Sequence, residues 1–347
     1  MSKRRTRSGG SAEHSAGLSL AKTRARGQRT ATAGVTDVAE ATGRHEDVVT
    51  ADSSEAENRK QMHVINVPQW LEENKTSFLP PVCNRMMHQD GQLKIMYIGG
   101  PNERRDYHIE EGEEMFYMAQ GDMCLKIIEK GKPKDVPIKE GEIFVLPSRI
   151  PHSPQRDENT RGLVIERERQ LTEKDGLRFY CEDGVTVLYE EWFHCTDLGT
   201  QLVPIITRYK ESEEFKTGKP NKHAMSKELP LKIDVNTEVD HPVLLKQWLT
   251  DNKSTIASKG SAELYGNGEF KVSVFGVGSE ETINTEHETY LWQLEGDSTV
   301  ISGNSSCVMH KDDTLLIPSS LDTTYTVKHT ENSLQMVIWI DELANKE

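Results

Sequence analysis

No run of 18 or more apolar residues occurs in this 347-residue chain, which excludes a membrane-spanning helix. Cysteine is scarce and poorly placed for cross-linking. The five thiols (Cys83, Cys124, Cys181, Cys195 and Cys307) are odd in number and widely scattered. Neither a disulfide framework nor a CxxC metal knuckle can be read from them, and a reducing compartment fits best. Positive charge is missing from the body of the chain. Residues 1–34 carry eight Lys/Arg against the single Glu13, a local charge of +7, which leaves −21 on the remainder of a chain whose total is −14. An acidic body repels phosphate backbones, so nucleic acid is not an expected partner.

Residues 1–60 lack hydrophobic periodicity and are read as a disordered, basic, Ser-rich tail, because such a segment cannot repay the entropy of ordering. The tail has no apolar stretch of the secretory kind. Its Arg- and Ser-rich composition faintly resembles an organelle transit peptide, against the plainer reading of an untargeted tail or a mis-called start site. The expected location is therefore the cytoplasm, with organelle targeting as the alternative.

The remaining length suits two domains. Val67 to Asn74, with Pro68, Trp70 and Leu71, reads as a short helix opening on proline. Strand signals then dominate. LKIMYI (93–98), EMFYMAQ (114–120), MCLKIIE (123–129), EIFVL (142–146) and LVIER (163–167) are short β-branched, aromatic or long apolar runs, separated by Gly, Asp and Pro turn chemistry. Many short strands at this spacing imply a sandwich or barrel. The pattern then repeats. EMFYMAQGD matches TYLWQLEGD, and GEIFVLPS matches DTLLIPS, so an all-β-dominated chain with two copies of one β-barrel unit and a few short helices is expected. We place the boundaries at 61–210 for the first barrel, 211–230 for a charged, helix-breaking linker and 231–347 for the second.

Chemistry concentrates in the first copy. His108, Glu114 and His152 supply two imidazoles and a carboxylate, a set that takes one face of an octahedral ion and leaves positions open for substrate and oxygen, as in non-haem iron(II) oxygenases. Six residues of straight strand would hold His108 and Glu114 ~20 Å apart. The chain must therefore turn between them, and Gly112 is well placed to let it. Sliding one copy onto the other puts Ile283, Thr289 and Thr323 at the three positions, so the second barrel is expected to be metal-free.

The stretch from Gly100 through His108, Glu114 and Gly121, and the stretch Gly141-x5-Pro147-x4-His152, resemble the two signatures of the cupin superfamily. Where many cupins carry a second histidine this chain has Glu110, which reduces the usual four ligands to three. Arg149 and Arg156 stand where Gly and Asn are common. Together with PPVCN (80–84), MYIGGPNERRDYHIEEGEEMFY (96–117), LPSRIPHSPQR (146–156) and DLGTQLVPII (197–206), the altered pattern closely resembles the 3-hydroxyanthranilate 3,4-dioxygenase family in its long, two-barrel form. The resemblance spans about residues 62–345.

That resemblance implies one Fe(2+) per chain held by His108, Glu114 and His152, an aromatic substrate and O2 as partners, and a monomer rather than a dimer. It implies that Arg156 and Glu166 hold the substrate's carboxylate and neighbouring groups, that Arg104 lies by the oxygen, and that Glu114 also touches substrate. A guanidinium fork suits a ring carboxylate, and Arg104 offers fixed charge where oxygen becomes negative. Glu166 faces the barrel interior if Val164 does. The short form's C-terminal CxxC pairs are absent, so no second metal is expected. Two rivals are another cupin enzyme, such as a thiol dioxygenase or acid-sugar isomerase, and a non-catalytic binding or storage protein.

Overall fold

The computed structural model describes residues 62–344 apart from 81–82, 90, 103, 222–227 and 277. The expected tail at 1–60 and the middle of the linker lie outside the described residues.

Twelve strands belong to the first half: β1 (Ile65–Asn66), β2 (Asn84–His88), β3 (Leu93–Gly99), β4 (Tyr107–Ile109), β5 (Glu114–Gln120), β6 (Met123–Glu129), β7 (Lys132–Ile138), β8 (Glu142–Leu146), β9 (His152–Arg156), β10 (Arg161–Arg167), β11 (Asp175–Tyr180) and β12 (Val187–Phe193). Ten more complete the chain: β13 (Val243–Leu244), β14 (Ser261–Tyr265), β15 (Phe270–Gly276), β16 (Glu280–Ile283), β17 (Thr289–Glu295), β18 (Ser298–Ser302), β19 (Ser305–Met309), β20 (Asp313–Ile317), β21 (Tyr325–His329) and β22 (Leu334–Ile340). Among the described residues the α-helices are α1 (Val67–Glu73), α2 (Leu198–Glu211), α3 (Glu213–Thr217) and α4 (Leu245–Lys259), and a 3-10 turn spans Lys75–Phe78.

Each half closes two antiparallel sheets on one another, the two-barrel cupin arrangement. In the first, β13-β8-β5-β10-β3-β2 faces β12-β11-β4-β9-β6-β7; in the second, β1-β20-β17-β22-β15-β14 faces β16-β21-β18-β19. The halves exchange edge strands. β1 pairs with β20 of the second barrel, and β13 pairs with β8 of the first. Alternation along the strands explains where the cores lie. In β5, Phe116 and Met118 point into the first barrel with Leu125, Ile127, Phe144 and Val164, while Met115 points outward. Met115, Tyr97, Ile95 and Leu163 then meet Val272, Tyr290, Trp292 and Ile338 of the second barrel in one buried interface, which α1 and α4 cover with Val67, Leu245 and Ile256. Two outer sheet faces thereby leave water at once.

Local chemistry fixes the details. Asn66 caps α1 by accepting from the Gln69 amide, and proline sits in the first turn, as the sequence predicts. Lys130 and Gly131, both at positive φ, make the tight turn between β6 and β7. β7 carries Pro133 and Pro137, which turn signals alone would place in a loop. It is an edge strand, where missing donors are tolerated. The stretch expected to break helices contains α3, because Ser212 accepts from the Phe215 amide, Glu213 and Glu214 occupy the first turn, and Gly218 closes the helix in the left-handed region.

The second barrel's register corrects one correspondence. His108 pairs directly with His152, and its counterpart Ile283 pairs with Tyr325, not Thr323, because the loop before β21 is two residues longer than the one before β9. Ile283, Thr289 and Tyr325 still offer no imidazole or carboxylate.

Candidate active site

The six ionisable side chains singled out by sequence come from five neighbouring segments of the first barrel. His108 is on β4, Glu114 opens β5, His152 and Arg156 lie on β9, Glu166 is on β10, and Arg104 precedes β4. Register puts five of them on the inner face. Ile127 and Met123, both core residues of this barrel, pair with His152 and Arg156, and Glu166 shares a face with Val164. All but Arg104 are buried.

Both imidazoles are oriented from behind. His152 Nδ1 lies 3.0 Å from the Ile150 carbonyl and His108 Nε2 lies 2.7 Å from Asp175 Oδ2. Those oxygens only accept, so the imidazole nitrogens facing them carry the protons. The opposite nitrogens are left as lone pairs, and each meets a carboxylate: His152 Nε2 is 2.9 Å from Glu114 Oε2, and His108 Nδ1 is 3.7 Å from Glu110 Oε1. Lone pairs facing carboxylates repel unless a cation lies between them. The donor set therefore fits a metal ion, with outer hydrogen bonds of the kind that orient histidine ligands.

The carboxylates are not arranged as the sequence suggests. Among the described residues, the set whose donor atoms all lie within 4.8 Å of one another is His108, Glu110 and His152. Glu114 contacts His152 but stands outside that set. Glu110, which in sequence reads as the loss of a ligand, is buried in the cluster instead. Three further charges carry no signal in the sequence. Arg169 reaches Glu110 at 2.8 Å, Glu166 at 3.1 Å and Asp175 at 3.0 Å, and Asp106 holds Arg104 with Nε–Oδ2 at 3.0 Å. The buried acids Glu110, Glu114, Glu166, Asp175 and Asp106 outnumber the arginines Arg104, Arg156 and Arg169 that share the site, an acidic balance that a divalent cation would offset.

Burial raises the Glu110 and Glu166 carboxyls, helped by the like charges of Glu114 and Asp175 and opposed by Arg169. Burial also works on Glu114, but the opposing pull of its neighbours His152, His108 and Arg156 outweighs it and leaves that carboxyl low. Arg156 differs from the other two arginines. Its Nε and Nη2 have no hydrogen-bond partner, it is 4% exposed, and burial brings its pKa down to about 10. Gly112 does serve the turn, though not through positive φ. A Cβ there would come within 3.3 Å of Arg167 Nε, so glycine lets that guanidinium lie against the loop.

The profile of the family described as 3-HAO, 3-hydroxyanthranilic acid dioxygenase, matches residues 60–210. A 3-hydroxyanthranilate 3,4-dioxygenase from Nematostella vectensis is 54% identical over 278 residues, covering 80% of this chain and 99% of the relative. The chain belongs to the 3-hydroxyanthranilic acid dioxygenase family. Relatives of the same name from Mus musculus and Homo sapiens are 47% and 46% identical over 283 residues, each covering 81% of this chain and 98% of the relative. Among solved structures, a cupin 2 conserved barrel domain protein from Leptotrichia buccalis aligns with 81% of this chain and 98% of its own, at 11% identity and a TM-score of 0.43. Membership in the 3-hydroxyanthranilic acid dioxygenase family makes the chain a metal-dependent cupin dioxygenase and removes both rivals raised by the sequence. Among the described residues no helix is long and apolar enough to cross a membrane.

Proposed function

We propose that the chain adds O2 across the ring of 3-hydroxyanthranilate, opening it between the hydroxyl-bearing carbon and the adjacent unsubstituted carbon. The first becomes a carboxylate and the second an aldehyde, giving 2-amino-3-carboxymuconate semialdehyde, which cyclises with loss of water to quinolinate. His108, Glu114 and His152 would hold one iron(II). When bound, iron(II) supplies the redox-active centre at which the ring and oxygen react, and both oxygen atoms of O2 enter the product.

The observation that carries this reading is the buried, partly unpartnered guanidinium of Arg156 on the same strand as His152. A desolvated charge without partners is costly unless a ligand supplies the missing anion, and a planar carboxylate fits the fork in two places. At pKa about 10 the group is still cationic at neutral pH. The remaining assignments build on that anchor. Glu166, held by Arg169, offers an acceptor to the ring's amine or hydroxyl. Glu114, beside His152, reaches the same groups. Arg104, tied to Asp106, holds fixed positive charge close enough to be felt by Glu114, where negative charge on oxygen would be stabilised. Phe116, Phe144 and Val164 form part of the apolar core on the same inner face of the barrel. We also infer a monomer working in the cytoplasm, a compartment supported by five cysteines of which none forms a disulfide.

The test is anaerobic loading with Fe(II), addition of 3-hydroxyanthranilate and admission of O2. The reading expects the absorbance of ring-opened product and one O2 consumed per ring. Iron-loaded protein that leaves the substrate intact would overturn it.

A further inference from the structure

The loop that joins His108 to Glu114 is fastened to the other barrel. The Glu113 amide donates to Glu269 Oε2 at 3.2 Å, and Glu113 Oε2 accepts from the Phe270 amide at 2.9 Å. Glu269 Oε2 also accepts from Arg167 Nε at 3.1 Å, and Arg167 is the guanidinium that lies against Gly112. Glu113, Arg167 and Glu269 are all more than nine-tenths buried. The contacts therefore sit in a low-dielectric seam where each hydrogen bond counts for more than it would in water.

The same clasp occurs a second time in the opposite direction. Glu288, one residue before β17 as Glu113 is one before β5, accepts from the Leu93 amide of the first barrel at 2.7 Å. Gly268 and Gly91 make room for the two carboxylates. A Cβ at either glycine would lie 1.9 Å from the Oε1 of the glutamate it faces. The clasps differ in the residue next along the chain. Glu288 leads to Thr289, which offers neither imidazole nor carboxylate, whereas Glu113 leads to Glu114. Only the Glu113 side adds the Glu269–Arg167 ion pair, and Arg167 goes on to bind Glu173 through both terminal nitrogens, two residues before Asp175.

We propose that the second barrel positions the catalytic loop: Glu269 and the Phe270 amide, acting through Glu113 and Arg167, set the places of Glu110 and Glu114 beside the histidines. Glu269 is then a positioning residue supplied by the other barrel, which among the described residues shows no metal-ligand cluster. The proposal rests on the assignment of Glu114 to the metal site. Residues 110–113 are in neither helix nor strand, so their order depends on such anchors. A loop displaced by a fraction of an ångström spoils both ligation and substrate geometry.

The paired glycines give a matched experiment on the full chain. Gly268→Ala and Gly91→Ala push equivalent carboxylates out of equivalent clasps, but only the first loosens the loop bearing Glu114. Four quantities are read: anaerobic Fe(II) loss to a chelator, amide exchange at 110–114, kcat and KM, and the thermal midpoint. Gly268→Ala should speed iron loss roughly 10-fold, the effect typical of losing support behind a ligand, and should raise exchange at 110–114 and lower kcat. Gly91→Ala should lower the midpoint by a similar amount and leave iron loss and exchange at 110–114 at wild-type values. Glu269→Gln, which keeps the volume, should reproduce the first pattern. Equal iron loss in the two glycine variants, or unchanged loss in Gly268→Ala and Glu269→Gln, reduces the clasp to an ordinary interface. Wild-type protein that retains no iron overturns the assignment of the metal site and the clasp's role with it.

Discussion

His108 and His152 are direct cross-strand partners, with ring centroids 5.2 Å apart at an interplanar angle of 78°. Two residues 44 positions apart in sequence thus become nearest neighbours through one bridge between β4 and β9. Side chains alternate along a strand, so a one-residue slip of either strand would turn its imidazole out of the barrel.

Asp175 keeps His108 in the tautomer whose Nδ1 lone pair faces the cluster. Asp175→Asn is near-isosteric but can present its amide NH2 to the ring, which favours the other tautomer. Iron affinity should fall by roughly 10- to 100-fold with the fold intact. Competition with a chelator at fixed pH measures this, and unchanged affinity would remove Asp175 from the support of the site.

Arg156→Ala removes the proposed carboxylate anchor without touching the histidines. Charged hydrogen bonds contribute about 1.5–3 kcal/mol, so KM for 3-hydroxyanthranilate should rise roughly 10- to 100-fold while iron content stays at the wild-type level. Steady-state kinetics beside metal analysis separates the two effects. A KM unchanged from wild type would place the substrate's carboxylate elsewhere.

Arg169 is the cation shared by Glu110, Glu166 and Asp175. Arg169→Met fills similar space but leaves three buried acids without it. Removing one partner from a buried ion pair costs about 3–5 kcal/mol, and the urea midpoint of the metal-free protein should drop accordingly. A midpoint within error of wild type would show that the acids are neutralised by other means.

Glu173 supplies a pH signature away from the ligands. Burial would raise its carboxyl, but the Arg167 hydrogen bonds and the Gln170 amide outweigh that and lower it below 4.5. The folded value is depressed, so its stabilising contribution is present above about pH 4.5 and is lost as pH falls through the folded value. Glu173→Gln should flatten stability against pH in that acid window. Denaturant melts of both proteins across the acid range on either side of about pH 4.5 check this, and parallel curves would contradict it.

Much of this is legible in the sequence, for physical reasons. The strands from Leu93, Glu114, Met123, Glu142 and near Leu163 are uninterrupted apolar or alternating runs between turn residues, and their repetition reveals two barrels. His108, His152 and Arg156 stand out in the sequence because histidine and isolated arginine are conspicuous among turns, whereas Glu114 lies inside an acid-rich run and is singled out only by its place at the head of a repeated strand. Glu110, Arg169 and Asp175 cannot be read, because they sit in the charge-rich runs HIEEGEE, ERERQ and EKDG, where composition does not tell a buried ion from a solvated one. Thr323 takes the place of Tyr325 in a sequence comparison because loop lengths differ between the copies. The exchanged strands β1 and β13 are two residues each, too short to carry a period.

The central claim is that two cross-strand histidines hold the ion together with a carboxylate of the intervening loop. Iron stoichiometry after anaerobic loading and desalting tests it most directly, comparing wild type with His108→Ala and His152→Ala, each checked for wild-type circular dichroism. The account predicts about one iron per wild-type chain and almost none in either variant. One iron per chain retained in both folded variants would contradict it.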